Sequence, residues 1–220
     1  MILKMILKYD TIIAIENHSQ KGETMPTEVL SYYLKNENRR VRLKFQVVLQ
    51  CAPFLKGLKV SCLISMDADL YPYLKDLFKG MSVTYHRLSC SEGKCLVLFY
   101  RPDELEAHVN EAPARELIVQ YGYREMNLQQ MLERLTGRVK ECAEKGMEFP
   151  HEIGVFLGYP IEDVKGFIEK EGRESLMTGY WKVYSDPNGA RMIFKEYDRA
   201  KECAVNEFLD GKSIREILEV

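Results

Sequence analysis

The chain has 220 residues, of which 46% are hydrophobic and 29% are charged. This balance is typical of a folded globular protein and excludes an intrinsically disordered chain. Lysine and arginine together number 31 against 33 aspartate and glutamate residues, so the net charge at pH 7 is -2. The chain therefore lacks the basic excess of a protein that coats nucleic acid, and we expect no nucleic-acid partner.

Residues 1–24 are predicted to be poorly packed, as a disordered or non-native extension. Two lysines interrupt their apolar start, which is too short for the roughly 20 apolar residues of a membrane helix, and no signal-peptide cleavage site follows. We therefore predict a cytoplasmic protein with no membrane partner. Codons for residues 21–24 would form a ribosome-binding sequence, which predicts that translation starts at Met25. The alternative is that residues 9–15 form a short edge strand.

The first part of the folded chain is predicted to form helices followed by a β-α-β-β unit. Apolar residues recur at helical spacing up to Pro53 and Gly57, which end the second helix. A four-residue gap that contains Gly93 separates the last two strands and predicts a hairpin. The predicted segments are helices at 27–34 and 41–55, a strand at 60–65, a helix at 70–80, and strands at 82–90 and 95–101.

The second part of the chain is predicted to be mainly helical, with glycine and proline residues marking the ends of the helices. One segment, 179–184, alternates like a strand, and Ser213 with Glu216 predicts a capping box for a last short helix. The other predicted helices cover 103–110, 112–121, 127–145 and 150–156, then run from Pro160 to Gly172 and from Pro187 to Gly211.

These elements predict an α+β (mixed α/β) fold, in which many helices pack on a small mixed sheet that contains the β-α-β-β unit. The crossover would be right-handed if the first strand lies parallel to a partner. Residues 25–220 are expected to form a single globular domain. We divide it into an α/β lobe at about 41–101 and a mainly helical lobe at about 102–220, which includes the strand 179–184.

The cysteines are predicted to be reduced, because the chain is large and carries no secretory signal. Cys90 and Cys95 flank the predicted hairpin, where they are either a redox-sensitive pair or simple strand-end residues. A zinc site would need two more ligands, and none stands nearby in the sequence, so no metal site is predicted. The six cysteines are Cys51, Cys62, Cys90, Cys95, Cys142 and Cys203.

Residues 149–160 combine closely spaced glycines and prolines, which predicts a tight helix-turn-helix corner. His151 and Glu152 stand at the start of a helix, where backbone N–H groups favour an anion and lower the pKa of a histidine. The imidazole could therefore bind an oxyanion or act as an acid or base. The alternative is that the two residues cap the helix and fix the corner.

The segment 179–184 supplies a second group of candidate residues. On a strand, Tyr180, Lys182 and Tyr184 share one face, while Trp181 and Val183 share the other. A ring could stack on the tyrosines, with a phosphate or carboxylate on the lysine. The alternative is that these aromatic residues only stabilise the sheet.

Cys51 is a candidate nucleophile near the edge of the sheet, followed by Ala52 and Pro53. A catalytic cysteine needs a helix N-terminus or a cationic neighbour, whereas this residue stands at the C-terminal end of its predicted helix. The alternative is burial as a packing residue.

The same segments resemble a bacterial family known as domain of unknown function 3793, found mainly in anaerobic Gram-positive bacteria such as clostridia. The resemblance covers most of residues 41–211, and the chain departs from the family pattern at Phe54 and at residues 60–62. It implies no specific activity, but genes for flavodoxins or ferrous-iron transport near some members suggest a redox or metal-homeostasis setting. The segments that carry the resemblance are 51–53, 57–59, 121–123, 149–154, 156–160, 162–164, 166–168 and 179–184.

Three functions are consistent with these residues. The first is a small-ligand-binding or regulatory protein, whose partner is a small anionic ligand or an acidic segment of another protein. Its site would lie where the corner at His151 meets Tyr159 and the face formed by Tyr180, Lys182 and Tyr184. The second is an enzyme with His151 as acid or base and Lys182 as an anion clamp. The third is a protein–protein interaction scaffold with an exposed apolar patch.

In the enzyme hypothesis, Glu152 orients the imidazole and Cys51 serves as the nucleophile. The residues specify neither the reaction nor a cofactor.

Overall fold

The structure is a computed structural model that describes residues 26–218. It confirms the predicted α+β class, with a small sheet among many helices. The predictions on residues 1–24 and on Met25 lie outside the described residues. The elements are α1 (Thr27–Leu34), α2 (Arg39–Leu55), β1 (Ser61–Asp67), a 3-10 helix (Tyr71–Tyr73), α3 (Leu74–Leu77), β2 (Thr84–Ser91), β3 (Lys94–Tyr100), α4 (Pro102–Asn110), α5 (Ala112–Gln120), α6 (Leu128–Lys145), α7 (Ile153–Phe156), α8 (Ile161–Glu169), β4 (Met177–Thr178), β5 (Lys182–Val183), α9 (Pro187–Leu209) and α10 (Ile214–Leu218).

The main sheet has three strands in the order β1-β3-β2, and both neighbouring pairs are antiparallel. The register of β1 and β3 runs from Ser61 opposite Tyr100 to Asp67 opposite Lys94. The expected mixed sheet is therefore replaced by an antiparallel one. The physical reason is that the hairpin places β3 between β1 and β2, so the two strands that point the same way never touch.

The sheet separates two hydrophobic cores. Alternate residues of β3 point to opposite faces, with Val97 and Phe99 in the first core and Leu96 and Leu98 in the second. Because both faces are covered, β1 and β3 appear in the sequence as nearly continuous apolar runs. Helices α9 and α10, which we placed in the helical lobe, contribute buried residues to the first core together with α2.

Helix α2 ends at Leu55, as predicted, but its backbone is kinked close to Pro53. Pro53 lies inside the helix, and Cys51 has non-helical backbone angles (φ -113°, ψ 15°). Proline lacks an N–H, and its ring clashes with the carbonyl of the residue four positions earlier, so a kink at this point lets the last turn form.

The predicted strand at 179–184 is a short hairpin in the structure. Met177 pairs with Val183 and Thr178 pairs with Lys182. The Gly179 amide donates a hydrogen bond to the Trp181 carbonyl across the turn. A Cβ at residue 179 would stand only 2.1 Å from the Phe194 ring, which explains a glycine at this tight turn.

None of the helices in residues 26–218 combines the length and the apolar character that crossing a bilayer requires.

Candidate functional site

The predicted corner forms where α7 and α8 pack closely together. A Cβ on Gly154 would lie 2.9 Å from a methyl carbon of Val164, so the helices approach more closely than a larger residue would permit. Gly158, between the helices, has a φ of +70°, a left-handed conformation that favours glycine. The glycines of this segment therefore serve the close contact of two helices.

Glu152 fixes the corner from inside the second core rather than capping α7. Its side chain makes no capping hydrogen bond. The Tyr123 hydroxyl donates to Glu152 Oε1 over 3.0 Å, and Arg138 Nε forms an ion pair with the same oxygen at 2.5 Å. The residue is fully buried. Burial and the adjacent Glu152 carboxylate raise the pKa of Tyr123 well above its usual range, so the phenol remains a donor.

His151 lies against aromatic rings beside this network. Its ring centroid is 5.7 Å from that of Phe149 and 5.0 Å from that of Phe167. Its nearest acidic neighbour is Glu148, with Nε2 and Oε1 3.8 Å apart. Burial lowers the pKa of His151, so the neutral imidazole is favoured near neutral pH.

Lys182 and Tyr184 lie around the same Phe167 ring as His151. Lys182 Nζ is 5.9 Å from the Phe167 ring centroid and donates a hydrogen bond to the Gly172 carbonyl at 2.5 Å. Tyr184 packs over α8, where a Cβ on Gly166 would stand 2.6 Å from the tyrosine side chain. The structure thus brings three predicted site residues, His151, Lys182 and Tyr184, together around one ring. The Lys182 amine, however, is hydrogen-bonded to the backbone that follows α8.

Asp163 joins the small hairpin to α8. Its carboxylate accepts hydrogen bonds from Trp181 Nε1 at 2.7 Å and from the Tyr184 amide at 2.8 Å. The amide and hydroxyl of Ser185 also donate to it, each at 2.8 Å. The residue is only 3% exposed. One buried carboxylate therefore determines where the hairpin sits.

A separate cavity is lined by the remaining predicted ligand residues, Tyr159 and Tyr180. Its volume is about 50 Å³, which accommodates a few water molecules. Two lysines, Lys59 and Lys201, line it with the tyrosines. The lining residues are Leu49, Gln50, Pro53, Phe54, Lys59, Cys62, Leu63, Leu157, Tyr159, Tyr180 and Lys201.

The polar groups of this cavity are held by aromatic and acidic neighbours. Lys59 Nζ lies 5.1 Å from the Tyr159 ring centroid and 5.9 Å from that of Tyr197. The Tyr180 hydroxyl donates to Asp198 Oδ1 at 2.8 Å. Burial lowers the pKa of Lys201 to about 8, although the nearby Asp198 carboxylate acts in the opposite direction.

Cys51 contacts Cys62, whose side chain lines the cavity. The Cys62 thiol donates to Cys51 Sγ, with the two sulfur atoms 3.0 Å apart. Cys51 belongs to the first core, whereas Phe149 and Ile153, which flank His151, belong to the second. The structure therefore does not bring the candidate nucleophile to the candidate acid or base.

The hairpin of the main sheet contains a disulfide between Cys90 and Cys95, which contradicts the expected reduced state of this pair. The two residues face each other directly across β2 and β3, which gives their side chains the required proximity.

Within residues 26–218, no group of three histidine, cysteine or acidic residues is arranged to hold a metal ion.

Lys59, Lys201 and Cys62 were not predicted as cavity residues. A signal for Lys201 exists in the sequence, because it follows the buried Tyr197 by four residues and precedes the buried Val205 by four. Helical spacing therefore places this lysine on the buried face of α9. Lys59 and Cys62 carry no comparable signal, since their meeting with α9 depends on the fold.

The chain matches no curated protein and no solved structure. A family model described as a protein of unknown function, DUF3793, matches residues 47–218. That span contains the corner, the hairpin and all residues that line the cavity, and it agrees with the resemblance found over residues 41–211. Because the match covers well over half of the chain, the protein belongs to the DUF3793 family.

Proposed function

We propose that this protein is a cytoplasmic binding protein for a small anion, or for the anionic group of a small molecule, held in the cavity between Lys59 and Lys201. The observation that supports this proposal is the presence of two lysines in the wall of one small cavity. Gln50 adds an amide to the lining. We also propose a clostridial origin and a redox or metal-homeostasis setting, as the family resemblance implies.

The electrostatics of the cavity favour an anionic ligand. Bringing an ammonium group out of water is costly, and the lowered pKa of Lys201 reflects that cost. An anion bound beside it would offset part of the cost by adding a negative charge in a region of low dielectric constant. Asp198, which accepts the Tyr180 hydrogen bond, places one negative charge near Lys201, whereas the cavity lining contains two lysines. The local charge therefore remains positive.

The size of the cavity limits what enters it. A volume of about 50 Å³ fits a group of a few heavy atoms, such as a carboxylate or a small oxyanion. The body of a larger ligand would remain outside, near the rings of Tyr159 and Tyr180. Both tyrosines were predicted as ligand residues.

Replacing Lys201 with methionine is expected to weaken sulfate binding about tenfold or more, because a charge-assisted contact is worth roughly 1.5 to 3 kcal/mol. Isothermal titration calorimetry with sulfate and with acetate measures the loss. The matched control is Lys195→Met, since Lys195 is an exposed lysine of the same helix outside the cavity lining. Equal affinities for wild type and Lys201→Met, or no binding of either anion by wild type, would contradict the proposal.

Sulfate affinity is also expected to fall as the pH rises above about 8, the pKa of Lys201. Below that pH the amine is protonated and attracts the anion. Above it the amine is neutral, and the affinity drops by up to about tenfold for each pH unit. Sulfate keeps its charge between pH 6 and pH 10, roughly, so the titration reports on the protein. In Lys201→Met this decline should disappear, and a wild-type profile unchanged between those limits would count against the assignment.

The geometry favours the enzyme hypothesis less. His151 and Lys182 share the Phe167 ring, but the lysine amine is bonded to the Gly172 carbonyl, and Cys51 lies on the other side of the sheet. The enzyme and scaffold functions stay predictions.

A further inference from the structure

The contact between Cys51 and Cys62 joins two different elements. Cys51 lies at the kink of α2, and Cys62 lies in β1, where its thiol also approaches the Gln50 carbonyl at 3.6 Å. The sulfur atoms are 3.0 Å apart, and the residues are 0% and 7% exposed. A disulfide bond of about 2.05 Å needs the two sulfurs to move together by only about 1 Å.

We infer that Cys51 and Cys62 form a reversible disulfide, and that a small peroxide entering the cavity is the oxidant. This inference does not depend on anion binding. Cys62 lines the cavity, so it is the sulfur that a solute can reach, whereas Cys51 is covered. The cavity has room for only a few water molecules. Hydrogen peroxide has two heavy atoms, so it fits this space better than an oxidant that is itself a bulky disulfide compound.

The reaction has two balanced steps. The Cys62 sulfur attacks one oxygen of the peroxide and the O–O bond breaks, which yields a sulfenic acid, Cys62–SOH, and one water molecule. The Cys51 thiol then attacks the Cys62 sulfur, its proton goes to the departing hydroxide, and a second water molecule leaves. Two thiols are oxidised to a disulfide while one peroxide is reduced to water. Because the second thiol is adjacent, the sulfenic acid is consumed before further oxidation to a sulfinic acid.

The other cysteines make the pair easy to isolate in an experiment. Cys90 and Cys95 are already joined, and Cys203 is exposed and serves as an internal reference. Trypsin cleaves after the lysines at 56 and 59, which places Cys51 and Cys62 in separate peptides, 45–56 and 60–75. Only a disulfide can hold these two peptides together after digestion.

The test treats the native full-length chain with hydrogen peroxide, blocks remaining thiols with iodoacetamide, and maps the peptides by mass spectrometry. We expect the linked pair 45–56 and 60–75, about 2 Da lighter than the sum of the reduced peptides, and its disappearance after dithiothreitol. The inference is overturned if both cysteines remain alkylated at a peroxide concentration that oxidises Cys203. It is also overturned if the link forms only in denaturant.

Two variants test the order of the steps. In Cys51→Ala the sulfenic acid at Cys62 should persist and be trapped by dimedone, because the resolving thiol is gone. In Cys62→Ala the Cys51 thiol should stay reduced, since no accessible sulfur starts the reaction. The control Cys203→Ala should form the link as wild type does. Dimedone trapping on Cys51 in place of Cys62 would overturn the assignment, and the wild-type peptide map remains decisive if either variant fails to fold.

Discussion

Asp163→Ala is expected to lower the free energy of unfolding by about 3 to 4 kcal/mol. The carboxylate accepts four hydrogen bonds and is only 3% exposed. Removing it leaves the buried Trp181 indole N–H and two part-buried backbone amides without their acceptor. A buried donor left without a partner costs more than the hydrogen bond itself contributed.

Urea denaturation measures the loss for Asp163→Ala, and Glu162→Ala is the matched control. Glu162 is the preceding residue on α8, but its side chain is exposed and pairs with Lys165 at the surface, so its loss should cost less than about 1 kcal/mol. Trp181 is the single tryptophan of the chain, so its fluorescence reports directly on the release of the hairpin. Equal midpoints for the two variants would show that Asp163 does not hold the hairpin.

Glu152→Ala is expected to destabilise the protein by about 3 kcal/mol. Removing one partner of a buried ion pair leaves the charge of the other partner uncompensated, which costs roughly 3 to 5 kcal/mol. Because Arg138 is partly exposed to water, we expect a loss at the lower end of this range. The Tyr123 hydroxyl, buried beneath the corner, loses its acceptor as well.

A double-mutant cycle separates these contributions to stability. Arg138→Ala combined with Glu152→Ala should cost less than the sum of the two single substitutions, because each single variant leaves a charge without its partner. Glu148→Ala is the control, since its side chain is 80% exposed and lies three residues before His151. Strictly additive effects, or an equal loss for Glu148→Ala, would contradict a role of the ion pair in fixing the corner.

Local sequence signals were sufficient for much of the fold. The helix Thr27–Leu34 has the predicted bounds, and the capping box formed by Ser213 and Glu216 is present. The main hairpin and the continuous helix 128–145 also follow from the spacing of apolar residues and from the glycines in the turns and at the helix ends. These features depend on residues within a few positions of one another, which is why a sequence pattern can indicate them.

The differences arise where distant segments decide the outcome. An alternating run such as 179–184 fits either one strand or half of a short hairpin, and the choice follows from Phe194, whose ring excludes a side chain at residue 179. Antiparallel pairing of β1 with β3 likewise depends on a contact between segments about 30 residues apart. No local pattern encodes either contact.

In the candidate site, too, some residues could be chosen from the sequence, whereas others depend on contacts between distant segments. Tyr159 and Tyr180 were chosen from the sequence, and the structure places both on one cavity. Tyr184, Lys182 and His151 were expected beside them but lie around Phe167 instead. Tyr180 falls in the turn of the small hairpin, whereas Lys182 lies in its second strand, so the two do not share one strand face. Lys59 and Lys201 reach the cavity from loop and helix positions about 140 residues apart, a distance that helical periodicity cannot bridge.

The residues that line the cavity lie far apart in the sequence, and this separation affects when the cavity forms during folding. Its residues come from α2, from β1, from the turn after α7 and from α9, so they span the chain from Leu49 to Lys201. Contacts between such distant segments form late in folding, after local helices and hairpins, because closing long loops costs conformational entropy. A C-terminally truncated fragment that ends before α9 therefore lacks the complete cavity, and only the native chain brings Lys59 and Lys201 into one lining.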